Sequence, residues 1–244
     1  MKNLVNRLYS IWVFFAFIGL FILIFPLFFI FLQRIEWYKH AFEINHWWAK
    51  VFFTLAGISC EIEYRQDLET DGRYIFCPNH FSYLDIPGMV RNRYLFAFMG
   101  KDEMQKIPFF GYMYKRMHIT VDRDKMKSRY GAILKAAEVL DGGRSLTIFP
   151  EGGIVTKEPP KLVSFKDGAF RLAIEKQVAI VPVTIPYNWI ILPDDSKFLI
   201  DRSKKMKLIF HEPIKTEGMS IENIESLKEQ TFSIIENELR IQNT

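Results

Sequence analysis

In residues 74–85, YIFCPNHFSYLD, a wholly apolar run breaks into polar text. Tyr74–Cys77 has the composition of a buried strand, and Asn79, His80, Ser82 and Asp85 follow it at once. Further short β-rich runs recur at Tyr94–Phe98, His118–Val121, Ser145–Phe149, Ala179–Pro186 and Met206–Phe210. Helical patterns lie between them. Met126–Leu140 places Ile133, Leu134, Ala137 and Leu140 at helical spacing and is closed by Gly142–Gly143. Gly168–Lys176 is a short second helix, and Glu222–Arg240 a last one with Ser220 as its N-cap. Strands alternating with helices predict an α/β fold: a mixed, largely parallel sheet flanked by helices. No internal repeat, low-complexity tract or flexible linker interrupts the pattern.

Composition narrows the class. The 244 residues are 49% hydrophobic with 23 Phe, which excludes a disordered chain, and two cysteines exclude a disulfide scaffold. Cys60 and Cys77 are expected to be reduced. The net charge of +4 is only mildly basic, and the Arg202–Lys207 cluster is not interleaved with aromatics, so no nucleic acid partner is indicated. The phenylalanines are concentrated near the start. Ile11–Leu32 is 22 residues without a charge, eight of them Phe. As a helix it would cover about 33 Å, close to the hydrocarbon core of a bilayer. It is longer than a signal-peptide core and lacks a small-x-small cleavage site. Lys2 and Arg7 flank one end, Arg34 and Lys39 the other, so charge sets no orientation. The next stretch, with Trp47, Trp48 and Phe52, is too polar to span and is expected to sit in the headgroup zone. The parse is therefore residues 1–58 as N-terminal membrane-anchoring helices and residues 59–244 as the α/β domain, with membrane lipids as partners.

No Gly-rich phosphate loop, GxSxG elbow or zinc spacing occurs. Three polar islands interrupt the strand-like text instead. In the first, His80 and Asp85 are five apart, about 140° around a regular helix, so they meet only if His80 lies at a loop–helix junction. A histidine held by a carboxylate is a general base of fixed tautomer; otherwise His80 is a cap and Asp85 a solvated charge. The second island holds Lys101 and, further on, Arg123 just past a strand end, where α/β folds place ligands. The third is Phe149-Pro150-Glu151-Gly152-Gly153, a strand running into a turn that does not by itself require Glu.

Taken in order, NHFSYLD, GKDEM with VDR, FPEGG and VPVTIPYN resemble the four sequence blocks of the glycerolipid (1-acylglycerol-3-phosphate) acyltransferase family, and Phe165–Phe170, FKDGAF, resembles that family's FKxGAF stretch. The resemblance covers about 76–188. It implies that His80 is the catalytic base with Asp85 its partner, that Lys101, Arg123, Glu151 and Gly152 serve substrate binding, and that Pro182 shapes the acyl-chain site. It implies acyl-CoA or acyl carrier protein as donor, a lysolipid as acceptor, and no metal or bound cofactor. One departure stands out: where the family commonly continues FPEG as Thr-Arg-Ser, this chain has Gly153-Ile154-Val155, and a phosphate-holding arginine is absent. Lys157, Lys161 or Lys166 could supply the missing cation.

The expected function is therefore transfer of a fatty acyl group to lysophosphatidate, giving phosphatidate, on the cytoplasmic face of the inner (plasma) membrane. The alternatives are O-acylation of a lyso-aminolipid, such as an ornithine or glycine lipid, and a non-catalytic membrane-binding protein of the same fold.

Overall fold

The computed structural model describes residues 2–195 and 197–244, with the backbone alone for residues 2 and 3, so the flanking charge of Lys2 lies outside the described side chains. Two helices open the chain, α1 (Lys2–Phe31) and α2 (Tyr38–Leu55), joined through one helical turn at Ile35–Trp37. The chain then runs β1 (Cys60–Tyr64), β2 (Tyr74–Pro78), α3 (Asp85–Met89), β3 (Phe96–Lys101), α4 (Phe110–Met117) and β4 (Ile119–Val121). It continues with α5 (Met126–Asp141), β5 (Ser145–Thr147), α6 (Gly168–Lys176) and β6 (Ala179–Thr184). Last come α7 (Asn188–Ile191), β7 (Met206–Phe210) and α8 (Ile224–Asn243).

The seven strands form one sheet in the order β1-β7-β6-β2-β5-β3-β4. From β6 to β4 all neighbours are parallel; β7 runs antiparallel to β6, and β1 parallel to β7. This is the mixed, largely parallel sheet that the strand–helix alternation predicts. The carboxyl ends of five parallel strands share one edge, where ligands bind in such sheets.

Both faces of the sheet are covered. Every residue of β2 is buried, as a strand between two layers requires. Tyr74 and Phe76 point into a core shared with α1, α2 and α4, while Ile75 and Cys77 point into one built with α5, α6 and α8. The predicted α5, α6 and α8 are present, the last opened by a capping box between Ser220 and Asn223. The sequence reading has no counterpart for β1. Its CEIEY alternates charge with apolar side chains, and Glu61 and Glu63 pair with Lys207 of β7 at 3.1 and 3.3 Å. Cys60 and Cys77 are both free. They sit on strands separated by two others at about 4.8 Å each, beyond disulfide reach.

α1 is long and apolar enough to cross a membrane. It is also docked lengthwise on the domain. Trp12 Nε1 donates to Leu55 O (3.2 Å) and Ser10 Oγ accepts from Ile200 N–H (2.9 Å). Phe17 meets Trp48 and Phe52 edge-on, Phe21 packs on Phe110, Phe25 on Phe109, and Gln33 Nε2 donates to Tyr112 Oη (2.7 Å). Its other side, including Leu8, Phe15, Leu23 and Ile30, is exposed. Pro26 lies within the helix and does not end it. The paired tryptophans divide, contrary to the expectation that they share the headgroup zone. Trp47 is exposed, but Trp48 and Phe52 are buried under α1, stacked on one another at 5.7 Å. α2 is thus a supporting layer with one exposed tryptophan, and removing α1 would uncover its aromatic face.

Side chains on opposite sides of α1 should respond differently to truncation. Phe28, with no exposed surface, lies in the core, whereas Leu23 is 75% exposed. Phe28→Ala is expected to cost about 3–5 kcal/mol. Leu23→Ala should change stability by no more than about 0.5 kcal/mol. Denaturant midpoints in mild detergent check this; equal losses would show that α1 does not pack on the domain as described.

Candidate active site

The site lies where β2, β5 and β6 end. β2 gives way to a turn in which Asp85, first residue of α3, folds back over the residues preceding it. Asp85 Oδ2 accepts the N–H groups of Phe81 (2.8 Å) and Ser82 (2.9 Å) and lies 2.9 Å from His80 Nδ1. Its Oδ1 accepts from Asn188 Nδ2 at 2.9 Å. Asp85 is fully buried and His80 is 8% exposed. The two residues therefore meet, as they can only at a loop–helix junction. A carboxylate facing Nδ1 assigns the proton to that nitrogen, which leaves Nε2 with its lone pair.

The ring and backbone of His80 are fixed as well. Its imidazole stacks on Phe149 with centroids 3.9 Å apart, and its backbone N–H donates to Glu151 Oε1 at 2.7 Å. Glu151 also accepts from Val163 N–H (3.4 Å) and is 2% exposed. Burial pushes its carboxyl up to about 7; the two N–H donors oppose the rise and the nearby Asp85 charge adds to it. The turn that sequence alone did not require to carry Glu is thus clamped to the histidine by that Glu. Ahead of it, Asn79 pairs both ways with Ile185, donating to its carbonyl (3.1 Å) and accepting its N–H (2.7 Å), which ties the ends of β2 and β6.

Cations border this centre. Lys101 is exposed at the end of β3. Arg123, just past β4, is half-buried, and burial lowers its affinity for a proton. Its Nη1 comes within 3.6 Å of where a Cβ on Gly153 would sit. Lys166 donates its backbone N–H to Pro150 O (2.8 Å) and lays its ammonium over Gly152. A Cβ at Gly152 would lie 2.7 Å from Lys166 Nζ, and the residue has φ 85°, so both space and backbone call for glycine. Among the described residues neither Arg123 nor Lys166 has an ion-pair partner, whereas Lys161 pairs with Glu158 at 3.6 Å.

Ile154 lines a cavity of about 860 Å³ together with Phe81, Val155, Trp189, Ile190 and Pro193, with Lys157 and Asp194 among its polar groups. Pro182 lies apart from the polar cluster, inside β6 opposite Cys77, with its carbonyl accepting His211 N–H (3.0 Å). Of the residues singled out from sequence, the structure gathers His80, Asp85, Glu151 and Gly152, with Arg123 beside them. Asn79 and Asn188 carry no role in the sequence reading. Their signal was present, since both lie in the quoted blocks, but an asparagine after a strand reads equally as a turn residue.

Residues 59–186 match the family model described as Acyltransferase. The chain is 29% identical over 180 residues to the chloroplastic 1-acyl-sn-glycerol-3-phosphate acyltransferase LPAT1 of Arabidopsis thaliana, covering 70% of this chain and 49% of that protein. It is 26% identical over 200 residues to the 1-acyl-sn-glycerol-3-phosphate acyltransferase of Haemophilus influenzae, covering 79% of each. The chain spans about half the length of the plant relatives it matches. The crystal structure of the 1-acyl-sn-glycerophosphate (LPA) acyltransferase PlsC from Thermotoga maritima superposes with a TM-score of 0.82 at 26% identity, covering 100% of this chain and 98% of that one. With the family model matching more than half of its length and that fold reproduced end to end, this chain belongs to the acyltransferase family.

Proposed function

We propose that the protein is a membrane-associated O-acyltransferase that moves a fatty acyl group from acyl-CoA or acyl carrier protein to the free hydroxyl of a lysolipid, with 1-acylglycerol-3-phosphate as acceptor. The observation that carries this reading is the imidazole of His80, anchored through Nδ1 on buried Asp85 and without a partner at Nε2 among the described residues. A lapsed, non-catalytic relative would have no physical reason to keep a buried carboxylate aimed at a histidine.

In the proposed reaction His80 Nε2 takes the acceptor's hydroxyl proton as the oxygen attacks the thioester carbonyl. The carbonyl oxygen becomes an oxyanion, the C–S bond breaks, and the imidazolium returns its proton to the departing thiolate. Positioned base catalysis contributes roughly 10²–10⁴-fold. Asp85 holds the tautomer and stabilises the imidazolium without accepting the proton. Lys101 supplies positive charge for the oxyanion, and Arg123 and Lys166 supply it where the acceptor phosphate gathers negative charge. The thioester brings its own activation, so the proposal includes no metal or bound cofactor. The cavity walled by Phe81, Ile154 and Trp189 is apolar enough for an acyl chain.

Lys166 is the feature that favours a phosphate-bearing acceptor. Of the three lysines that could replace the missing arginine, it is the one lying on the Gly152 turn across from Arg123. The apolar neighbourhood of Ile154 favours the second reading, a lyso-aminolipid with a less anionic headgroup. The position of α1 bears on access to either lipid. From Tyr9 to Phe31, about 33 Å of helix, one side is occupied by the domain, so α1 lies along the membrane surface rather than across it. The exposed side then dips among the acyl chains, and the domain faces the cytoplasm, where thioester donors and free cysteines belong.

His80→Ala should lower the rate at least 100-fold without loss of fold, and Asp85→Asn should also lower it heavily. A His80→Ala enzyme within tenfold of the parent would refute general-base catalysis here. Lys166→Ala should lower kcat/KM for lysophosphatidate by about 10–100-fold, the equivalent of 1.5–3 kcal/mol, and leave a lyso-aminolipid unaffected. A parent that prefers the lyso-aminolipid and is indifferent to Lys166→Ala would reverse the choice of acceptor.

Glu151 predicts a pH dependence of stability. Its folded carboxyl, near 7, lies above the ordinary 4.5, so ionisation is resisted by the fold. That resistance costs nothing below pH 4.5 and reaches about 3 kcal/mol once pH passes 7. The stability of the parent relative to Glu151→Gln should therefore fall by roughly that amount between pH 4.5 and 8. Chemical denaturation at the two pH values checks it, and a constant difference would show that Glu151 titrates normally.

A further inference from the structure

Three of the four hydrogen bonds on Asp85 come from its own turn; the fourth comes from Asn188, at the start of α7 just past β6. Asn188 has no exposed surface. Its Nδ2 donates to Asp85 Oδ1, and its own Oδ1 is buried without a partner among the described residues. A buried amide with an unpaired acceptor is one whose orientation is dictated from the other end. Turned over, it would point Oδ1 at Asp85 Oδ1, acceptor to acceptor, which is tolerable only if Asp85 carried a proton. The orientation present therefore matches an ionised carboxylate.

We propose that Asn188 is a positioning residue of this site: by donating to Oδ1 it fixes the Asp85 carboxylate in rotation and draws off part of its negative charge, so that Asp85 orients His80 without trapping the ring as imidazolium. The inference rests on the reading of His80 as the general base. Without the fourth donor the carboxylate is more basic, and the His80–Asp85 pair retains its second proton to higher pH. The other titratable group facing the pair is Glu151, which accepts the His80 N–H and repels the Asp85 charge. Arg123 and Lys166 border the Gly152–Gly153 turn beyond it, Phe149 covers one face of the ring, and Asn79 is neutral.

Two variants with opposite signatures test this. Asn188→Leu keeps the shape and removes the donor. Its His80 titration, followed by NMR of ¹³C-labelled histidine and assigned with His80→Gln, should move up by about one pH unit. The acid limb of its kcat/KM profile should move with it, with kcat reduced and KM for both substrates within about twofold of the parent. In Asn188→Asp two carboxyls share one proton, and the protonated newcomer can still donate to Asp85. Its activity should stay near the parent's at low pH and fall as pH rises, a basic limb the parent lacks. Repeating the NMR comparison in a Glu151→Gln background removes the other titrating carboxyl.

A loss that is uniform across pH, with an unmoved His80 titration, would make Asn188 merely structural and overturn the proposal. If Asn188→Leu does not fold, an Asn188→Asp profile parallel to the parent's overturns it equally. A parent inactive on every lysolipid would refute the acyltransferase reading instead, and the His80 titration would still decide the part played by Asn188.

Discussion

A carboxylate with no exposed surface can stay ionised only if its surroundings replace the water it has lost. Asp85 meets that condition with four donors, and each donor fixes a different piece of the site. Two backbone N–H groups set the turn after β2. The imidazole N–H sets the direction in which Nε2 faces, and the Asn188 amide connects the turn to the end of β6. Removing the charge would release all four groups together. Glu151 adds a second clamp from the neighbouring strand, where its buried carboxyl takes the backbone N–H of the same histidine. His80 is thereby held through ring, ring face and backbone, by elements arriving from three parallel strands.

The parts of this fold that could be read from sequence are those whose pattern is local. β2, β6 and β7 are apolar runs with both faces buried, and α5, α6 and α8 carry helical spacing with recognisable ends. β1 resisted because its strand identity comes from its partner: the glutamates of CEIEY are satisfied by Lys207, and Tyr64 stacks on Phe210 at 4.6 Å. The helices α3 and α7 are too short to show a period, and the contact between Asp85 and Asn188 joins them. The same division holds in the site. The meeting of His80 with Asp85 spans five residues and could be posed as a geometric question. Asn188 lies more than a hundred residues from its partner and offers no spacing to interpret.

The N-terminal helices show that composition alone does not assign apolar side chains to surfaces. Twenty-two uncharged residues make α1 long and apolar enough to cross a membrane, and one side of it is exposed. Hydropathy does not reveal that half of the same helix is a core element for the sheet. Nor does it reveal that Trp48 and Phe52 of α2 serve that core rather than the membrane. Aromatic residues satisfy a lipid interface and a packed interior equally well, and only the partner surface separates the two.

Charge placement points to what the site receives. Some cations of the domain are matched within the chain: Lys176 pairs with Asp141 at 2.6 Å, Lys228 with Glu225 and Asp167 at 2.6 and 3.0 Å, and Lys207 with two glutamates of β1. Two beside the His80 turn are not. Arg123 is half-buried with no carboxylate in ion-pair range among the described residues, and the more distant Glu103 and Tyr114 offset its partial desolvation only in part. Lys166 reaches over a glycine that leaves room for it, again without a counter-ion among the described residues. Two cations on one turn, clamped to the histidine through Glu151 and lacking internal partners, make a region of positive potential that a bound anion would neutralise. The same turn continues into Ile154 and Val155, which wall the apolar cavity. The proposed acceptor carries both an anionic headgroup and an acyl chain, and consecutive residues of this one loop offer a cationic and an apolar surface beside His80.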